Sequence, residues 1–247
     1  MINKEETIAL LQRMKLQGMV NIYKSVVTMP QANDLSAHEM IAQMALAEDK
    51  YRTDKRTQMY LRMSKLRYDS VLENVNCSSQ RNFSKDQLIT LADCSFISNS
   101  QNVLITGATG CGKSYLACAL GRQACHLGYR TIYWGMLRLV EKIQQTKLEG
   151  TFAKFLDRLN KMNLLIIDDF GIIPITNNVR VTLLQILEDR YNKKSTIIVS
   201  QLPFNKWYDY LGDKTLADAI MDRLSVAAYK LNLKGDSLRH QKNKIIS

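Results

Sequence analysis

The stretch NVLITGATGCGKSYLACALG, residues 102–121, decides how the rest of the chain is read. NVLIT (102–106) is a short, uninterrupted apolar run, the pattern of a buried strand. KSYLACALGRQACHLG (113–128) has helical spacing and closes on Gly128. Between them Gly107, Gly112, Lys113 and Ser114 satisfy G-x-x-x-x-G-K-[ST]. The glycines let backbone N–H groups turn inward around phosphate oxygens. Lys113 supplies a point charge for the β and γ phosphates, and the Ser114 hydroxyl is a ligand for Mg²⁺. The helix that follows points its positive end at the same anion. Strand, loop and helix stand in the order this grip requires. Gly107, Ala108, Thr109, Gly110, Cys111, Gly112, Lys113, Ser114 and Tyr115 are therefore expected to bind the phosphates of a nucleotide, with Mg²⁺ as their partner.

Downstream, apolar strands and helices alternate. RTIYWG (130–135) reads as a strand; Met136, Val140 and Ile143, then Phe152, Phe155, Leu156 and Leu159, repeat at helical spacing. LLIIDD (164–169) is a strand, VTLLQILEDRY (181–191) a helix and STIIVS (195–200) a strand. Such alternation predicts an α/β domain with a parallel sheet covered on both faces. Asp168, 55 residues after Lys113, ends its strand at the carboxyl edge, where ligands bind in such folds. It is expected to hold Mg²⁺, directly or through water, and its neighbour Asp169 is the candidate base for the attacking water. Ser200 or Gln201, in SQLP (200–203), is placed to orient that water or to sense the γ-phosphate. The final 45 or so residues are expected to be helical.

Upstream, residues 1 to about 70 read as wholly helical, with Leu11, Met14, Ile22 and Val26 on one apolar face. TMPQAND (28–34) breaks that helix, and SAHE (36–39) restarts one with capping-box spacing. KYRTDKRTQMYLRMSKLR (50–67) holds seven Lys or Arg against one Asp, a net +6, with Tyr51 and Tyr60 interleaved. That density points to a phosphate-facing surface, with Lys50, Arg52, Lys55 and Arg56 as contacts. NVNCSSQRNFSKD (74–86) is polar and aperiodic. The expected organisation is a helical domain over 1–73, a linker over 74–86 and the α/β domain over 87–247. The whole chain carries 34 basic and 23 acidic residues, a net +11, which favours a nucleic-acid partner.

Several classes are disfavoured. Cys77, Cys94, Cys111, Cys118 and Cys125 are odd in number and form no C-x-x-C, so neither a disulfide framework nor a zinc site is suggested. His38, His126 and His240 are too scattered for a metal cluster. The apolar runs, such as LLII (164–167), fall far short of a membrane span, and MINKEETIAL lacks the apolar core of a signal peptide. A cytoplasmic protein is expected.

With these motifs in place the chain resembles the AAA+ ATPases, and more narrowly the IstB-like transposition helpers, relatives of the DnaC helicase loaders and DnaA initiators. The resemblance covers nearly the whole length, through LAEDKYRTDKR, NVLITGATGCGKSYLACALG, LLIIDDFG, STIIVSQLPFNKW, DAIMDRL and LKGDSLRH. It implies a AAA+ P-loop fold with a parallel central sheet, a small helical domain before it and a short helical lid region after it. It makes Arg223, in DAIMDRL, the arginine finger offered to a neighbouring subunit, and Arg239 the γ-phosphate contact in cis. Two departures stand out. Many AAA+ proteins have Glu where this chain has Asp169, and a shorter carboxylate arm implies slow hydrolysis. Many relatives have Asn where this chain has Gln201. The helical pair between strand 130–135 and strand 164–169 matches the extra helix of initiator-type relatives, which makes Lys142, Lys147, Lys154 and Arg158 further candidate DNA contacts. The implied function is an ATP-dependent protein that assembles head-to-tail on duplex DNA and assists a transposase. A helicase loader is the nearest alternative, although LQGMVNIYKS (16–25) and MALAEDKYRTDKR (44–56) favour the helper. A P-loop kinase of small metabolites, an alternative of another class, would need an acceptor pocket and a basic lid.

Overall fold

Two compact units, Met1–Met59 and Tyr60–Ser247, make up the computed structural model, which describes residues 3–28 and 36–238. The first contains α1 (Lys4–Arg13), α2 (Gln17–Thr28) and most of α3 (Ala37–Ser64). The one helix expected across Leu11 to Val26 is two, because Lys15 turns the chain at φ 59°. The expected capping box is present: Ser36 Oγ accepts the Glu39 amide at 3.2 Å, and the Glu39 carboxylate accepts the Ser36 amide at 2.9 Å. Gly18 lets α2 approach α3 closely, since a Cβ there would lie 2.4 Å from the Ala47 carbonyl oxygen. Glu48 of α3 then accepts the Gly18 and Met19 amides at 2.8 and 3.4 Å, and Arg52 Nε donates to it at 2.7 Å. Burial alone would raise the Glu48 pKa; Arg52 and the two amides outweigh it and hold the carboxyl below its ordinary value. Arg52 is thus tied to a neighbour, whereas Lys50, Lys55 and Arg56 are exposed.

The second unit begins in the last turn of α3. Residues 74–86, expected as a linker, are built into it. Phe83 is buried, as is Arg81. Their polar neighbours are satisfied across a long sequence separation: Lys234 N donates to the Arg81 carbonyl at 3.0 Å and Asn82 Nδ2 to the Asn232 carbonyl at 3.0 Å. A second capping box, Ser84 with Gln87, opens α4 (Lys85–Ala92), and α5 (Ser95–Ser98) follows.

The four strands expected from apolar runs form, and a fifth joins them. β1 (Val103–Gly107), β2 (Thr131–Gly135), β3 (Leu164–Phe170), β4 (Ser195–Ser200) and β5 (Tyr229–Leu233) make one parallel sheet in the order β2-β3-β4-β1-β5. Successive side chains point to opposite faces, so each strand feeds two cores. Leu104, Ile132, Ile167 and Ile198 pack against α7 (Met136–Leu148), α8 (Phe152–Asn160), α9 (Asn177–Arg190) and α11 (Lys214–Ser225), with the short α10 (Trp207–Leu211) beside them. Val103, Ile105, Ile166 and Val199 pack against α6 (Lys113–His126), α4 and α5. The carboxyl-terminal stretch departs from the all-helical expectation. β5 pairs with β1 and buries Leu231 and Leu233 while Lys230 and Asn232 stay exposed, a short one-sided edge strand with a weak periodic signal. Among the described residues no helix is long and apolar enough to cross a membrane.

Candidate functional site

The site grows from the loop between β1 and α6. At Gly107, φ is +143°, and a Cβ would fall 2.1 Å from the Leu233 carbonyl oxygen of β5. At Gly110, φ is +83°, and a Cβ would strike Ser237. Only glycine fits either position. The loop is also braced from outside. Arg81 donates to the Cys111 carbonyl at 2.8 Å and to the Asp236 carbonyl at 3.4 Å, and the Leu238 amide donates to the Gly110 carbonyl at 3.0 Å. Inside the loop, Lys113 Nζ donates to the Ala108 carbonyl at 2.7 Å. Thr109 Oγ1 donates to Gln201 Oε1 at 2.8 Å, which joins the loop to the end of β4.

Across the sheet edge, β3 ends in the two acids. A bulge interrupts its pairing with β4 between Ile167 and Phe170, and Asp169 takes the left-handed conformation at φ 59°. Asp168 is fully buried and both of its carboxylate oxygens accept a hydrogen bond: Oδ1 from the Asp169 amide at 2.7 Å and Oδ2 from the Tyr133 hydroxyl at 2.7 Å. Burial, reinforced by the Asp168 charge, raises the pKa of Tyr133, so its hydroxyl stays a donor. Arg67 Nη1 donates to Asp169 Oδ2 at 3.2 Å and lies 3.9 Å from Asp168 Oδ2. Burial works against the Arg67 charge, but Tyr133 and Asp169 hold it above its ordinary pKa. Ser200 lines the same edge and staples the backbone: its Oγ donates to the Phe170 carbonyl at 2.6 Å and accepts the Leu202 amide at 3.0 Å.

These groups line a cleft of about 830 Å³, within the size range of small-molecule sites. Thr109, Lys113 and Ser114 of the loop line it together with Asp168, Asp169 and Gln201, and so do Arg67, Tyr68, Asn74 and Asn76. A cationic lysine, two hydroxyls and a glycine loop suit a polyphosphate, and Ser114 with Asp168 offers hard oxygen ligands that suit Mg²⁺. The expected loop residues, Asp168, Asp169 and Gln201 thus come together. Arg67 and Tyr133 were missed. Tyr133 left a trace, a polar residue in an otherwise apolar strand next to β3. Arg67 left none, being the last cation of a stretch expected to face phosphate.

Other candidates lie elsewhere. Arg223 on α11 does not line the cleft; its Nε donates to Glu188 of α9 at 2.6 Å, and Asp222 lies at 3.4 Å. Lys147 donates to Asn178 at 2.5 Å and Thr182 at 2.8 Å, so it braces α7 against α9. Lys142 donates to Gln145 at 3.1 Å, while Lys154 and Arg158 are exposed. Arg239 lies outside the described residues, directly after Leu238.

Comparison with known proteins agrees with this geometry. Residues 9–245 match the family model described as IstB-like ATP binding protein. An insertion sequence ATP-binding protein of Sinorhizobium fredii is 36% identical over 96% of this chain and 95% of its own. The insertion sequence IS21 ATP-binding protein of Pseudomonas aeruginosa is 29% identical over 95% of this chain and 88% of its own. Among solved structures, the DnaC helicase loader superposes with TM-score 0.54 at 21% identity, covering 68% of this chain and 98% of that one. AMPPCP-bound DnaA from Aquifex aeolicus superposes with TM-score 0.58 at 20% identity over 73% of this chain. The chain spans 56% of that DnaA, and at these identities the likeness speaks for the fold. The chain belongs to the family of IstB-like ATP-binding proteins, ATPases built on the AAA+ fold.

Proposed function

We propose that the protein binds ATP with Mg²⁺ in this cleft and uses it as a switch for head-to-tail assembly on duplex DNA, in the service of a transposase. The names of the two relatives compared above, both tied to insertion sequences, support transposition over helicase loading, and the net charge of +11 supports a polyanionic partner.

In this mechanism the loop amides, Thr109 and Lys113 grip the phosphates. Ser114 and Asp168 would hold Mg²⁺, which when bound neutralises charge on the β and γ phosphates. Asp169 accepts the proton of the attacking water, Gln201 orients that water, and the Tyr133 hydroxyl fixes the Asp168 carboxylate. Asp169 is one methylene shorter than glutamate, so turnover is slow. Arg223 of the next subunit and Arg239 of the same chain contact the γ-phosphate as planar cations.

The observation that carries the nucleotide reading is the glycine loop with Lys113 and Ser114 lining one cleft with Asp168 and Asp169; Arg223 lies outside that cleft, paired with Glu188, and its role in trans is the part to be tested. A finger on one face and a pocket on another make a head-to-tail contact that propagates into rings or helices. The test is a mixing experiment. Arg223→Ala and Lys113→Ala subunits, each inactive alone, should regain partial ATPase activity together, because some interfaces pair an intact finger with an intact pocket. Mixed assemblies without returning activity would refute the trans role. Neutralising Lys50, Lys55 and Arg56 should flatten the salt dependence of duplex binding by up to about 0.9 per lost phosphate contact. An unchanged slope would remove these residues from the DNA surface.

A further inference from the structure

We propose that Arg67 is a positioning residue of this cleft: its guanidinium holds the Asp168–Asp169 pair and competes with the divalent cation for it. The inference rests on the reading of the cleft as an Mg²⁺–ATP site. Two adjacent carboxylates, one of them fully buried, repel each other unless a cation sits beside them. Among the described residues, Arg67 is the one cation within 4 Å of either. The ammonium of Lys113 is turned to the Ala108 carbonyl instead. The oxygen of Asp168 that Arg67 approaches already accepts the Tyr133 hydroxyl, and the other accepts the Asp169 amide. A cation that takes this carboxylate shares these oxygens with the contacts already on them, and the Arg67 pairing, at 3.9 Å and half-exposed, is the loosest of those.

Arg67 is built to let go. Its side chain is 45% exposed, and its contact to Asp169 is a single hydrogen bond of 3.2 Å. The guanidinium carbon also lies 5.4 Å from the centre of the Tyr68 ring, which lines the same cleft. Arg67 has a second seat on that aromatic face once the acids are taken. While paired, it fixes the Asp169 carboxylate toward itself; once displaced, it frees that oxygen for water.

The experiment titrates Mg²⁺ against binding of a fluorescent, non-hydrolysable ATP analogue to the full chain. Arg67→Gln should lower the half-saturating Mg²⁺ concentration by about threefold, the scale of a half-exposed ion pair. Arg67→Lys, which keeps the charge, should stay close to the parent. In an Asp169→Asn background the Arg67→Gln shift should largely vanish, a coupling that a merely structural role would not produce. Superimposable titrations of parent and Arg67→Gln overturn the proposal. So does analogue binding that weakens equally at every Mg²⁺ concentration, which would make Arg67 a nucleotide contact. If the parent itself binds no analogue at any Mg²⁺ concentration, the nucleotide reading falls and this inference with it; if the parent binds and only the Arg67 shift is missing, this inference falls alone.

Discussion

Two arginines at opposite edges of one sheet show how differently the fold treats the same side chain. Arg190, at the end of α9, lies beside the amino-terminal edge and is 1% exposed. It donates five hydrogen bonds, to the carbonyls of Leu159, Met162, Asn163 and Ser195 and to the Thr196 hydroxyl, at 2.5–3.3 Å. No ligand has a place there, because every donor is already satisfied. Arg67, at the carboxyl-terminal edge, has one hydrogen bond to an acid and half of its side chain in solvent. Saturated polar groups hold a fold together, while sparsely held ones are free to change partners. The candidate cleft opens at the second edge, where Lys113, Thr109 and Gln201 each make few side-chain contacts and Arg67 is the loosest partner of the aspartates.

The largest expected effect tests the first half of that contrast. Arg190→Met should strand four backbone carbonyls and cost about 4 kcal/mol in chemical denaturation, while the folded fraction binds ATP with unchanged affinity. A change in affinity would mean the amino edge is not purely structural. Next in size, Lys113→Ala should weaken ATP binding by about 3 kcal/mol, roughly 150-fold, in a titration, with stability little altered. A large loss of stability with normal affinity would reverse the assignment of the two edges. Asp169→Asn should leave ATP binding intact and slow steady-state hydrolysis by about 10²-fold, the scale of a lost general base. Normal turnover would reduce Asp169 to an anchor for Arg67.

The smallest effect lies in the first unit. Glu48 is held below its ordinary 4.5, so its contribution is present above that pH and lost as pH falls through the lowered value. Glu48→Gln should cost about 1.5 kcal/mol at neutral pH, and the stability curves of parent and variant should converge in acid. Parallel curves at every pH would show that the carboxylate charge does nothing for the α2–α3 contact.

Local pattern accounts for much of the molecule. β1 to β4 follow from apolar runs too continuous for anything but strands covered on both faces, and the capping box at Ser36 from a three-residue spacing. The phosphate loop follows from four residues within eight. Asp168 was legible because strand direction puts the last residue of LLIID at the ligand edge. What these share is short range: the residues that decide the structure are neighbours along the chain.

β5, the buried strap around Phe83 and Arg81, and the pairing of Arg67 with the aspartates lack that property. β5 is a strand because β1 has a free edge beside it, and the strap is ordered because Asn232 and Lys234 come back to meet it. Arg67 and Asp169 are 102 residues apart, and only the folded chain brings them together. By itself the sequence determined the parallel sheet, the loop and its fitness for a phosphate, since backbone geometry and local charge dictate them. Only the tertiary structure decided which cation faces the acids, because an ion pair depends on distance in space, and spacing along the chain does not report it.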